Sequence, residues 1–370
     1  MPSRIVIDAR TGVRSGIGRY TRGLLDHLQQ LDETATYVVL LDAGDAGTWE
    51  PHNSRFRVEV INCPFYSWRE QVALPRVLRR LRPDLVHFTN FNAPLLYFGA
   101  RVTTIHDLNI MRIAQLRPDE PRSLGARVRY AAMRVVLERS VRASARILTP
   151  TEYVKSDVRT HWPRLPAEVV VVTHEAAEVS PSVEEQAVES VQTPYLLYVG
   201  NSYPHKNLAC LIDGFAQASD RDLSLVLVGQ EDDYRESLRR RAARSAASER
   251  ILFPGYVSDP ELTWLYRHAT AFAFPSLSEG FGLPPLEAMA HGLPVICSDA
   301  TCIPEVCGDA AAYFDPSSPS DIARVIDEAV SNPAKLAEMR AAGLQQAARF
   351  SWDQMAAQTS AAYVQAVASS

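Results

Sequence analysis

The chain is predicted to be α/β, with two doubly wound units, each a parallel sheet flanked by helices. Three observations predict this. Short apolar, β-branched runs alternate with stretches of helical periodicity along the chain, and such alternation builds βαβ units around parallel strands. A length of 370 residues suffices for about two domains or one large one. Residues 175–194, rich in Glu, Ser, Val and Pro and without periodicity, separate one set of runs from the next and read as a linker. A composition of 46% hydrophobic, 22% charged and 8% aromatic residues fits a globular chain and excludes disordered, fibrous and collagen-like classes.

Taken in order, residues 4–8 read as the first strand. Residues 16–31 read as a helix, with Tyr20, Leu24, Leu25 and Leu28 at helical spacing. Strands follow at 37–41, 56–60, 85–88 and 102–105. A long helix around 127–142 precedes strands at 147–149 and 169–172. The second set has strands at 195–199, 224–228, 251–253, 271–274 and 294–297, with helices at 207–218, 234–247 and 259–268. Helices at 321–330 and 333–348 trail it, and 351–366 is apolar at helical spacing. The domains are placed at 1–178 and 190–350. Two such units facing each other would form a central cleft, with ligands at the carboxyl ends of the strands.

The net charge of −5 divides unevenly. Residues 1–178 hold 25 Lys and Arg against 19 Asp and Glu, so +6, and the remainder carries −11. The first half is arginine-rich at 76–82 and 112–146. That run reads either as solvated helix faces or as a surface for anionic lipid or a diphosphate-linked acceptor. Nucleic acid is not expected, since basic and aromatic residues do not interleave. The five cysteines lack C-x2-C spacing, so neither a disulfide framework nor a zinc ribbon is expected, and a cytoplasmic setting is the default. Asp8 breaks the opening apolar run, so no signal peptide is expected. No apolar run approaches the roughly 18 residues that cross a bilayer.

Four motifs follow predicted strands. Ser15-Gly16-Ile17-Gly18-Arg19-Tyr20 opens the first helix, where backbone N–H groups attract phosphate. A dinucleotide fingerprint would need glycine where Thr21 stands, though Asp42 ends the second strand where a ribose-binding acid would sit. His106-Asp107 follows the strand at 102–105; His106 reads as a buried core histidine or as a hydrogen-bond donor to substrate. The stretch from Tyr198 to Asn207 carries Asn201, His205 and Lys206. A lysine near a helix amino terminus opposes the macrodipole and needs an anion beside it.

The fourth motif spans residues 275–292 and reads PSLSEGFGLPPLEAMAHG. Gly280-Phe281-Gly282 offers bare backbone N–H groups, Pro284 or Pro285 opens a helix, and Gly292 ends it. Glu279 and Glu287 bracket this loop, and carboxylates accept paired hydrogen bonds from vicinal hydroxyls, as in sugars and ribose.

With Glu279 and Glu287 eight positions apart, the chain resembles glycosyltransferase family 4, the retaining transferases of GT-B fold, through that family's E-x7-E motif. The glycine loop, His106-Asp107 and the Lys206 region match in order and spacing. The resemblance implies a nucleotide-diphospho-sugar donor held by the second domain and an acceptor held by the first, with the helix at 351–370 packing back on the first. Gly16 would offer its N–H to the donor phosphate, and His106 would contact the transferred sugar. Lys206, with Asn201 and His205 nearby, would neutralise the departing diphosphate. Glu279 and the Gly280, Phe281 and Gly282 backbone would hold sugar hydroxyls. Leu283 would approach phosphate or ribose, and Glu287 would bind ribose. Tyr256, Val257 and Asp259 would meet the base; Asp259 either accepts from guanine or caps its own helix. Asn201 and His205 stand where many family members carry a phosphate-binding arginine, with Arg14, Arg19 or His205 as substitutes.

The expected function is retaining transfer of a hexose, mannose from GDP-mannose, to a saccharide acceptor on a lipid carrier, in surface polysaccharide or O-antigen synthesis. No cofactor or obligatory metal is expected, since Lys206 and backbone N–H groups supply the charge. The setting is cytoplasmic, with peripheral contact to anionic membrane through the basic first domain. The alternatives are a nucleotide-sugar epimerase on the same fold and a non-catalytic sugar-nucleotide-binding protein.

Overall fold

The first strand, β1 (Arg4–Asp8), buries everything after Arg4. The structure, a computed structural model, describes residues 3–11, 16–31, 34–112, 124–177, 179 and 184–369. Ser15, Arg14 and part of the linker lie outside the described residues. After β1, helix α1 (Gly16–Leu31) buries Tyr20, Leu24, Leu25 and Leu28, one stripe of an amphipathic helix. Then come β2 (Thr36–Asp42), β3 (Phe56–Ile61), α2 (Glu70–Leu81), β4 (Leu85–Phe88) and β5 (Arg101–Thr104). They are followed by α3 (Leu124–Ala143), β6 (Arg146–Thr149), α4 (Glu152–His161) and β7 (Val170–Val172). The strands pair in parallel in the order β3-β2-β1-β4-β5-β6-β7.

The second sheet starts with β8 (Tyr195–Val199), α5 (Leu208–Gln217), β9 (Ser224–Val228), α6 (Asp233–Ala243), β10 (Ile251–Gly255) and α7 (Asp259–His268). It continues with β11 (Ala271–Phe274), α8 (Leu283–Ala290), β12 (Val295–Ser298), α9 (Ile303–Cys307), β13 (Ala311–Phe314), α10 (Pro319–Val330) and α11 (Pro333–Ala347). The order is β10-β9-β8-β11-β12-β13, again parallel. Covered on both faces, β11 and β12 are buried at every position, which is why they read as unbroken apolar runs. The chain divides into two compact units: the first holds Met1–Ile113, Asp119–Glu175 and Ser351–Ser370, and the second holds Ala176–Phe350.

The last helix, α12 (Trp352–Ala368), belongs to the first unit. It crosses α1 so closely that a Cβ on Gly23 would lie 2.7 Å from the Trp352 indole. His27 Nδ1 meets Asp353 Oδ1 at 2.6 Å, and Tyr363 OH lies 2.6 Å from Nδ1 of the fully buried His87. His87 Nε2 meets Thr104 Oγ1 at 2.8 Å, so both ring nitrogens have partners, as burial demands.

Several elements differ from expectation. Helices α4 and α9 and strand β13 are present where none was predicted, and α2 extends well before the 76–82 stretch read as a possible helix face. The helix expected at 234–247 stops at Ala243. Strand β5 starts at Arg101, which pairs with Val86 of β4; the arginine is buried, with its guanidinium against the Tyr97 carbonyl and 5.0 Å from the Tyr97 ring. Among the described residues no helix is long and apolar enough to cross a membrane.

Candidate active site

Each sheet reverses its winding beside its first strand, between β1 and β4 and between β8 and β11. Loops leaving the carboxyl ends there form the ligand end of a doubly wound fold. In the second unit these are the β8–α5 and β11–α8 loops. Lys206 ends a short 3₁₀ turn, Pro204–Lys206, and Asn207 follows in the left-handed region at φ +61°. Asparagine tolerates that conformation. Its side chain donates to the carbonyls of Pro275 (3.1 Å) and Pro316 (2.7 Å). The His205 carbonyl accepts from Ser276 Oγ (3.1 Å) and Leu277 N (2.8 Å). The two loops are thus stitched backbone to backbone, and Lys206 Nζ donates to Glu279 Oε1 at 2.6 Å. Glu279 is the anion that a lysine at this place requires. The pair is only partly covered, with side chains 14% and 12% exposed.

A third loop, after β12, grips the Glu279 loop from behind. Thr301 Oγ1 accepts from Glu279 N at 3.1 Å, and Ser298 Oγ donates to the Ser276 carbonyl at 2.6 Å. Cys302 Sγ donates to the Phe281 carbonyl at 3.3 Å. Burial pushes the Cys302 thiol well up, so it keeps the proton it donates. Thr301 sits at φ +56°, an outlier for a β-branched residue. Gly282, at φ +98°, turns the chain into α8, whose first N–H groups and positive dipole end adjoin Gly280, Phe281 and Leu283. Glu287 lies on α8, where Tyr266 OH donates to its Oε2 at 3.2 Å.

The other residues expected in this unit are dispersed around these loops. The Asn201 carbonyl accepts from Tyr198 OH at 2.8 Å. The Asn201 loop lies so close to β9 that a Cβ on Gly229 would be 2.0 Å from the Gly200 carbonyl oxygen. Val257 is buried before α7, and Asp259 is exposed in its first turn. Ser258 is the N-cap of α7, with its N and Oγ both donating to Glu261 Oε2 at 2.7 Å. Arg235, which sequence reading passed over, is buried. Its guanidinium reaches the Leu227 carbonyl and lies 3.5 Å from Ser202 Oγ, bracing the Lys206 loop from below.

Gly16 and His106 belong to the first unit. Among the described residues a Cβ on Gly16 would touch nothing within 4 Å, so packing does not require glycine there. His106 Nε2 donates to the Thr89 carbonyl at 2.9 Å, and Nδ1 lies 3.2 Å from Glu175 Oε1. Both partners are acceptors, so both nitrogens carry hydrogens in the charged ring. Burial opposes that charge, but the Glu175 carboxylate outweighs it and holds the imidazole above its ordinary value. Tyr20 of α1 meets the ring edge-on at 4.7 Å. His87 goes the other way: burial, with His106 charged nearby, lowers it to about 3.

Sequence reading also missed a charge cluster here. Arg10 donates to both Asp8 oxygens (2.7 Å each), to Glu70 Oε1 (2.6 Å) and to the Cys63 carbonyl (2.8 Å). The Asp8-x-Arg10 spacing was available as a signal, but Glu70 lies 60 positions away. Burial raises the Glu70 carboxyl despite Arg10 beside it.

The profile of Glycosyltransferase Family 4 matches residues 14–195, and that of Glycosyl transferases group 1 matches residues 181–346. The chain is 33% identical over 302 residues to O-antigen chain mannosyltransferase B of Escherichia coli, covering 77% of this chain and 75% of that one. Sucrose-phosphate synthase from Thermosynechococcus elongatus superposes with a TM-score of 0.75 at 18% identity, over 100% of both chains. HepE from Anabaena, solved with UDP-glucose, superposes at 0.74 and 19% identity, over 98% of this chain and 99% of that one. These two show the fold, that of the GT-B glycosyltransferases. Matched along its length and a third identical to that mannosyltransferase, the chain belongs to glycosyltransferase family 4.

Proposed function

We propose that the protein transfers mannose from GDP-mannose to a saccharide on a lipid carrier, with retention at the sugar, in O-antigen synthesis. The observation that carries this reading is the Lys206–Glu279 pair where the β8 and β11 loops meet. Relatives named O-antigen mannosyltransferases support the sugar and the setting. In this reading donor binding exchanges one partner for another. The diphosphate takes Lys206, and sugar hydroxyls take Glu279 and the Gly280–Gly282 backbone. Glu287 holds the ribose, and Val257 and Asp259 meet the base. Because Ser258 and Glu261 cap α7, Asp259 is not needed for capping, which supports a role toward guanine.

As the sugar–phosphate bond breaks, negative charge grows on the departing diphosphate. Lys206 Nζ and the N–H groups at the start of α8 stabilise that charge where it develops. The acceptor hydroxyl attacks from the face the diphosphate leaves, and the leaving phosphate takes its proton. In this reading His106 exchanges one of its two partners, Glu175 or Thr89, for a hydroxyl of the transferred sugar. No divalent ion is required in this reading.

Membrane contact is proposed through α3, where Leu124, Val128 and Val135 are 76%, 62% and 57% exposed among exposed Arg127, Arg129 and Arg134. Mixed apolar and basic side chains suit an anionic bilayer surface.

A thermal-shift panel of nucleotide sugars tests the donor, since a ligand stabilises according to its affinity. GDP-mannose should raise the melting temperature more than UDP-glucose or UDP-galactose does, in EDTA as in its absence. A larger shift with a UDP-sugar, or dependence on a divalent ion, would overturn the assignment.

A further inference from the structure

Two aromatic side chains stand open to solvent in the β3–α2 loop of the first unit. Trp68 is 76% exposed and Tyr66 51%. Tyr66 also has φ +56°, a conformation that costs a bulky residue free energy and persists only where its surroundings impose it.

The surroundings do impose it. Tyr66 N donates to Glu70 Oε2 (3.1 Å), and Asn90 Nδ2 donates to Tyr66 OH (3.0 Å). Phe65 meets the Tyr66 ring edge-on at 5.1 Å. Glu70 is fixed in turn by Asn92 Nδ2 and Arg10 Nη2, both at 2.6 Å, and Arg10 by Asp8. A buried cluster of one guanidinium and two carboxylates is a costly thing to build. This one holds a single exposed ring in one orientation. The loop also adjoins the His106 edge, because Asn90 follows Thr89, whose carbonyl accepts from His106.

A rigid, solvent-facing ring with hydrogen-bonding groups at its rim matches a pyranose, which has an apolar C–H face and hydroxyls at its edge. A bilayer contact would need neither a hydroxyl fixed by an amide nor a backbone held in the left-handed region. We propose that Tyr66 and Trp68 form a subsite that stacks a pyranose ring of the acceptor saccharide. The acceptor role rests on the glycosyl-transfer reading above; the saccharide site rests on the loop itself.

Trp68 supplies its own probe, since it is the most exposed of the five tryptophans. The full-length chain is titrated with mannobiose, diacetylchitobiose and lactose while tryptophan emission is followed. At least one should change the emission saturably, and Trp68→Ala should weaken the binding of that sugar about tenfold or more when it is read by calorimetry, which does not depend on the Trp68 signal. Tyr66→Asn accepts the left-handed backbone, so it should keep the melting temperature yet weaken saccharide binding about tenfold or more. GDP binding should not change in either variant. The subsite is overturned if none of the three sugars binds, or if both variants bind like the wild type. It is equally overturned if the variants lose binding to phosphatidylglycerol vesicles and not to sugar. Saccharide binding without any binding of GDP-mannose would keep the subsite and remove the glycosyl-transfer reading.

Discussion

Arg10 and Lys206 are both cations bonded to carboxylates just past the first strands of their sheets, β1 and β8. Arg10 is completely buried and bonded to two carboxylates and a carbonyl. Lys206 keeps one carboxylate, and both side chains remain partly open. The same topological place therefore serves two purposes. Every donor of Arg10 that has a partner is committed within the fold, so the cluster fixes a loop and cannot turn over with a ligand. The Lys206 pair has spare lone pairs and donors and keeps part of its surface open, 14% and 12% of the two side chains, so a ligand can reach either partner.

The largest effect should come from Arg10→Met. It leaves Asp8 and Glu70 buried without a countercharge, at about 3–5 kcal/mol, read from denaturant unfolding of the full chain. A loss under 1 kcal/mol would mean that water reaches the cluster. Lys206→Met sets the contrast: it removes one partner of a single, partly open pair, so unfolding should shift less than in Arg10→Met, while turnover falls on the order of 100-fold or more. If instead it unfolds the protein and spares turnover, the two clusters are not different in kind.

The third test uses pH within the first unit. His106 sits above its ordinary 6.5 in the fold, so its contribution is complete below that value and is lost as pH rises through the raised one. His87 is lowered to about 3, so its neutral form stabilises near neutrality and that contribution is lost as pH falls from 6.5 toward 3. His106→Gln should flatten the alkaline side of a stability–pH curve and ease the acid side only in part, since burial is the larger cause of the His87 shift; an unchanged alkaline side would contradict the charged ring. The smallest effect is expected from Thr301→Val, which keeps the shape but removes the acceptor for Glu279 N. Turnover should drop about tenfold, with Thr301→Ser recovering most of it. Equal loss in the serine variant would assign Thr301 to packing instead.

Much of the fold was readable because its signals are local. The 4–8 strand and the 16–31 helix carry their burial in their own periodicity, and β8 and α8 lie between clear breakers. Helices α2 and α4 hid for physical reasons. Pro75 interrupts the pattern of α2, and α4 buries only Val154 and Val158. Strand β13 is four residues with one fully buried. In the site, Lys206 and Glu279 each stood out after a strand, but their contact spans 73 positions and exists only through the sheet order. Thr301 was invisible because nothing in a β-branched residue announces a left-handed backbone. Glu70 was invisible because its partners lie across the sheet.

In the proposed reaction Lys206 and Glu279 exchange each other for different parts of one donor. Calorimetric titration of GDP and GDP-mannose into wild type, Lys206→Ala and Glu279→Gln tests it directly. The lysine variant should bind both ligands about tenfold or more weakly. The glutamate variant should bind GDP like the wild type and lose only the added affinity that the mannose brings. Undiminished GDP binding by Lys206→Ala would contradict the account.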